Sequence, residues 1–109
     1  MYTLCSAFIP QMEERGFGRV VNLISGINKT PELAPYGASK WAVLKLTEDL
    51  AFKYAGTNVK INSLDPGWLR TDMGSQDAPD PVEATLPGAL APALLEEDGV
   101  SGEAFEALE

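Results

Sequence analysis

The chain has 109 residues, enough for one small domain with a modest core. It is 45% hydrophobic and 22% charged, a globular rather than disordered balance, and its net charge of −8 argues against nucleic acid or an anionic membrane as partner. It has no histidine and a single cysteine, Cys5, which excludes histidine catalysis, a Cys/His metal set and an intrachain disulfide.

No apolar run approaches the ~20 residues of a membrane span and no signal peptide is visible, so a cytoplasmic location is expected. On that reading the Asn28-Lys29-Thr30 sequon is a chance match. The acidic residues Glu96, Glu97, Asp98, Glu103, Glu106 and Glu109 crowd the tail and read as a solvated end.

Residues 4–15 read as a helix, with Leu4, Ala7, Phe8 and Met12 at helical spacing. Pro10 is expected to bend it, and Gly16 and Gly18 to stop it. Arg19-Val20-Val21-Asn22-Leu23-Ile24, short, apolar and bounded by glycine, predicts a buried strand ending at Ser25. Residues 26–35 form a loop, and a helix comes next from about Tyr36 to Ala55, with Gly56 as its stop. That helix is apolar on two sides. Val43, Leu46, Leu50 and Tyr54 make one stripe; Trp41, Leu44 and Phe52 make another, and only Lys45, Glu48, Asp49 and Lys53 form a polar strip. A sheet covers one side; the other meets either a helix of a second subunit or another part of the same chain.

Val59-Lys60-Ile61-Asn62-Ser63-Leu64 predicts a second strand, closed by Asp65-Pro66-Gly67. Strand, helix, strand makes a right-handed βαβ unit with parallel strands, hence an α/β fold. After a loop over 66–79, Asp80-Pro81-Val82-Glu83 reads as a helix start, with Asp80 as cap and Pro81 at the first position. Pro87 and Pro92 break the tail beyond it into short pieces, and a last short strand falls between Val100 and Phe105.

The chemistry converges on one edge of this arrangement. Ligands of open α/β sheets bind outside the carboxyl ends of the strands. Ser25 and Pro66-Gly67 lie at two such ends, and Tyr36 and Lys40, four residues apart on one helix face, begin at the same edge. A lysine ammonium beside a phenol favours the phenolate, which makes Tyr36 and Lys40 a usable proton-transfer pair.

The run GRVVNLIS, then YGASK, then VKINSLDPGWLRTDM resembles the second half of a short-chain dehydrogenase/reductase, strongly over residues 4–75 and weakly over the tail. PGWLRTDMG and the Pro-Val-Glu after it look most like the carbonyl-reductase-like branch. The resemblance implies an NAD(P)-dependent oxidoreductase that interconverts a carbonyl and an alcohol, with NADP slightly favoured over NAD. It implies Tyr36 as general acid/base, Ser25 as hydrogen-bond donor to the substrate oxygen, and Lys40 as the residue that tunes the tyrosine and holds the nicotinamide ribose. Pro66, Gly67, Leu69 and Thr71 match the segment that touches the nicotinamide carboxamide and nearby phosphates. Trp68 and Met73 flank the substrate on this reading, or pack their own loop, while Asn22 and Asp65 serve structure.

The same resemblance marks what is missing. The chain is expected to be one segment, residues 1–109, forming the C-terminal half of a doubly wound Rossmann-like domain. The glycine-rich phosphate turn and the residue that selects NAD or NADP belong to the other half, and the family's catalytic asparagine would fall before Met1. The eleven residues from Ser25 to Tyr36 are fewer than is common in the family. Half a parallel sheet exposes apolar edges, so self-association is expected, as a homodimer or larger oligomer through helix 36–55. One reading is the catalytic half of an enzyme, inactive or nearly so alone. The other is a non-catalytic fragment that keeps only the self-association surface, and an unrelated small α/β binding module is a distant third.

Overall fold

The computed structural model describes residues 1–26 and 29–108, so Asn28 of the sequon and the loop residue beside it lie outside the described residues, as does Glu109 of the acidic tail. The architecture is α/β. Helix α1 (Tyr2–Arg15) leads into β1 (Gly18–Leu23), then α2 (Ala34–Lys53), β2 (Val59–Asp65) and a short β3 (Ala104–Glu106). The three strands form one parallel sheet in the order β1-β2-β3. Gly18 pairs with Val59 and Leu23 with Leu64, which brings the two carboxyl ends level.

Both helices pack on one face of this sheet. Cys5 and Ile9 of α1, Ala51 and Tyr54 at the end of α2, and Val59 and Ile61 of β2 form a single buried cluster. Alternation along β2 turns Asn62 to the opposite face, where its side chain bonds Val100 O (3.2 Å) and Glu103 N–H (2.9 Å) and ties down the tail. On that same face Arg19 donates to Leu95 O at 2.9 Å.

Several expectations need correction. Helix α1 runs through Pro10 without interruption and begins two residues earlier than its periodicity suggested. Its buried stripe is Cys5, Ile9 and, in part, Met12, whereas Leu4 and Phe8 are exposed along a groove of about 500 Å³ beside β1. Hydrophobic spacing finds a helix face, but the sheet selects which of two adjacent apolar rows it covers. Helix α2 starts at Ala34, not Tyr36, because Pro35 suits the first turn, where its missing N–H costs nothing. Its first apolar stripe is buried or half-buried. Of the second, Leu44 is half-buried, while Trp41 (57%) and Phe52 (86%) are exposed.

Asp80 caps no helix. Pro81 occupies the cap position of a single 3-10 turn, Val82–Thr85, with no side-chain cap, and Asp80 instead offers its carbonyl to Arg70 N–H at 2.9 Å. The tail does break at its prolines: a second 3-10 stretch, Gly88–Ala93, contains Pro92.

Candidate active site

The site is assembled where β1 and β2 end. Ile24 extends the ladder one residue beyond β1 by donating its N–H to Leu64 O at 2.9 Å. Ser25 and Gly26 therefore leave the sheet beside Asp65, the last residue of β2. The early start of α2 places Tyr36 and Lys40 in its first two turns.

Ser25, Lys40 and Asp65 line one cavity of about 180 Å³, with Trp41, Leu44 and Phe105 as its apolar wall. Lys40 Nζ lies 3.5 Å from Leu23 O and 5.9 Å from the centre of the Tyr36 ring. Lys40 also lines the larger groove between α1 and β1, so its side chain stands at the junction of the two concavities. Tyr36 sits one turn before Lys40, 37% exposed, and does not line the smaller cavity. Within the same motif Ser39 Oγ donates to Tyr36 O at 2.7 Å, so the serine is spent on the helix backbone rather than on the site.

The turn after β2 is shaped by glycine. Gly67 has φ +88°, a conformation open to few other residues, and its N–H donates to Asp65 Oδ1 at 3.0 Å. Leu69, half-buried, forms an isolated parallel bridge with Asp80. Thr71 Oγ1 accepts Gly74 N–H at 3.0 Å, and Trp68 Nε1 donates to Gly74 O at 2.7 Å. The 68–74 loop thus closes on itself. Neither Trp68 nor Met73, which is 88% exposed, lines the cavity of Ser25 and Lys40.

Trp41, Leu44 and Phe105 are cavity walls in addition to the site residues expected from the sequence. The signal for two of them was present: Trp41 follows Lys40 directly, and Leu44 lies one turn beyond it on the same face. Phe105 comes from β3, forty residues past β2, and only the sheet brings it there.

These donors suit one end of a dinucleotide. A phenol, an ammonium and a glycine turn at a sheet edge match the hydroxyls and carboxamide of a nicotinamide riboside. No glycine-rich strand-to-helix turn exists among the described residues to cradle a diphosphate.

Comparison with known proteins gives this arrangement its family. The family model described as short chain dehydrogenase matches residues 1–81. Dehydrogenase/reductase SDR family member 4 of Bos taurus is 40% identical over 81 residues, covering 72% of this chain and 29% of the relative. A solved short chain dehydrogenase from Salmonella enterica serovar Typhi superposes with a TM-score of 0.87 at 21% identity, covering 99% of this chain and 48% of that one. The structure of ElxO with NADP bound superposes at 0.84 with 22% identity, covering 97% of this chain and 51% of that one. The chain thus spans less than a third of that curated relative and about half of these solved structures. With the family model matched across β1, α2 and β2, the chain belongs to the short-chain dehydrogenase/reductase family.

Proposed function

We propose that this chain supplies the catalytic half of an NAD(P)-dependent oxidoreductase of the carbonyl-reductase-like branch, which interconverts a carbonyl and an alcohol. The observation that carries the reading is the meeting of Ser25, Lys40 and, one turn away, Tyr36 at the strand ends flanked by Pro66-Gly67. When bound, the nicotinamide cofactor supplies or accepts the hydride. The chain's own groups do the rest. Ser25 Oγ holds the substrate oxygen, and Tyr36 moves the proton to or from it. The Lys40 ammonium, 5.9 Å from the centre of the Tyr36 ring, reaches the ribose hydroxyls. Pro66, Gly67, Leu69 and Thr71 bound the nicotinamide side. NADP is favoured over NAD, in keeping with the solved relative that holds NADP. A cytoplasmic location belongs to the same reading, checked by cell fractionation; no helix among the described residues is long and apolar enough to cross a membrane.

A second observation favours incompleteness. β1 is an edge strand, and its outer side is unpaired among the described residues. Helix α1 lies on the same face as α2 and enters β1 through a tight connection. In a right-handed α/β fold, a strand preceding α1 then falls on that open side. Residues 1–109 accordingly form the C-terminal half of a doubly wound domain, and the phosphate-gripping half lies outside them.

Titration of the chain with reduced nicotinamide cofactor, followed through Trp41 and Trp68 fluorescence, separates the two cases. Saturable binding with turnover abolished by Tyr36→Phe makes the chain an enzyme by itself. Absence of binding at millimolar cofactor makes it a half that needs its complement, or a non-catalytic fragment that keeps only its self-association surface.

A further inference from the structure

Asp65 is the last residue of β2, and its oxygens reach three separate parts of the candidate site. Its main-chain carbonyl accepts Ala107 N–H at 3.0 Å, which fixes the tail to the strand end. Its Oδ1 accepts Gly67 N–H at 3.0 Å, which fixes the Pro66-Gly67 turn. Its Oδ2 lies against Gly26, the residue after Ser25; a β-carbon at position 26 would come within 2.7 Å of it. On the far side of the turn, a β-carbon at Gly67 would run into Leu108. The carboxylate also lines the cavity that holds Ser25 and Lys40.

An aspartate that bonds the amide two residues on is a common turn device. The second oxygen is what adds meaning here, because it bears on a different strand exit. We propose that Asp65 is a positioning residue: its carboxylate is a spacer, held between Gly26 and Gly67, that sets the distance between the Ser25 exit and the Pro66-Gly67 turn. Those two segments carry, in the functional reading on which this rests, the group for the substrate oxygen and the wall for the nicotinamide. A carboxylate suits the place because a charged oxygen accepts a backbone N–H more strongly than a neutral one, while the glycine opposite leaves room for the other oxygen. Glycine at 26 is then required by the spacer rather than by the loop.

Amide hydrogen exchange and amide resonances, measured by NMR on the 109-residue chain, test this without any turnover. Asp65→Ala is expected to speed exchange at Gly67 about fivefold, the worth of one backbone hydrogen bond, and to move the Ser25 and Gly26 resonances. Asp65→Asn, whose neutral amide oxygen accepts the same bond less strongly, is expected to restore the resonances and most of the protection at Gly67. Gly26→Ala displaces the carboxylate from the turn and is expected to speed Gly67 exchange as well, with no further effect in the Asp65→Ala background. Unchanged exchange at Gly67 in Asp65→Ala, or effects of Gly26→Ala and Asp65→Ala that simply add, would overturn the proposal. Should Asp65→Ala also loosen the Ile61 and Ser63 amides of β2, Gly26→Ala alone decides: faster exchange at Gly67 supports the spacer, and wild-type exchange refutes it. Failure of the chain together with its complementary half to bind cofactor counts against the functional reading and leaves these exchange rates as they are.

Discussion

At the scale of single residues, the site rests on side chains whose local reasons can be traced. Lys40 is held near Tyr36 because the two share a helix face, and near Ser25 because α2 begins at the edge where β1 ends. If Tyr36 is the proton-transfer group, Tyr36→Phe removes one oxygen and leaves the ring in place. In the form of the protein that turns over, kcat is expected to fall about 10²–10⁴-fold, the usual worth of general acid–base catalysis, with the fold unchanged by circular dichroism. A fall of less than about tenfold would assign the proton to another group. Gly67 gives a stability counterpart. At φ +88° an L-residue is strained, so Gly67→Ala is expected to destabilise by about 1 kcal/mol in urea unfolding, with Leu108 able to swing aside from the new methyl.

At the scale of elements, two buried hydroxyls under α2 are predicted to behave oppositely. Thr47 is fully buried; its Oγ1 donates to Val43 O at 2.7 Å and accepts Asn22 Nδ2 at 3.0 Å, joining α2 to β1. Thr47→Val keeps the shape but strands the Asn22 amide, so a loss of about 1–3 kcal/mol is expected. Ser63, beside Asn22 in register on β2, is equally buried, yet its Oγ has no partner among the described residues. Ser63→Ala is expected to be neutral or to raise the urea midpoint, because it removes a desolvated polar group that returns nothing. A loss above about 1 kcal/mol would mean that this hydroxyl is bonded.

These elements also show how far the sequence could be read. The parallel βαβ unit and the shared edge of Ser25, Tyr36, Lys40 and Pro66-Gly67 were legible because glycine-bounded β-branched runs and a long apolar helix leave few alternatives. The choice between Cys5-Ile9 and Leu4-Phe8 as the buried row of α1 was not, since both rows are apolar and only the position of the sheet decides. Asp80 misled for a similar reason: the capping pattern is local, and a carbonyl bonded to Arg70 overrides it. Asp65 was legible as the end of the second strand; its contact with Gly26 was not, because it depends on strand register.

At the scale of the whole molecule, the surface does not balance. A compact monomer of 11.7 kDa is expected to expose about 5,900 Å², whereas this chain exposes 7135 Å². Its radius of gyration, 14.8 Å, likewise exceeds the ~13 Å of a compact domain of this length. The excess, on the order of 1,200 Å², exceeds the ~800 Å² that one partner contributes to a standard interface. Exposed apolar side chains among the described residues contribute to it, including Trp41 and Phe52 on the outer face of α2 and Leu4 and Phe8 in the groove beside β1. If α2 is the self-association surface, sedimentation velocity on the isolated chain should show a concentration-dependent dimer. Phe52→Lys should weaken it by at least about tenfold, since a buried aromatic anchor is worth about 1.4 kcal/mol or more. Lysine is the stringent choice, because it lowers the net negative charge and so reduces the repulsion between copies that would otherwise mimic the effect. Phe8→Lys should leave the dimer intact, because Phe8 lies in the groove between α1 and β1, off the α2 surface. The reverse pattern, with Phe8→Lys dissociating the dimer and Phe52→Lys preserving it, would mean that copies of this chain cover each other's open sheet edge instead.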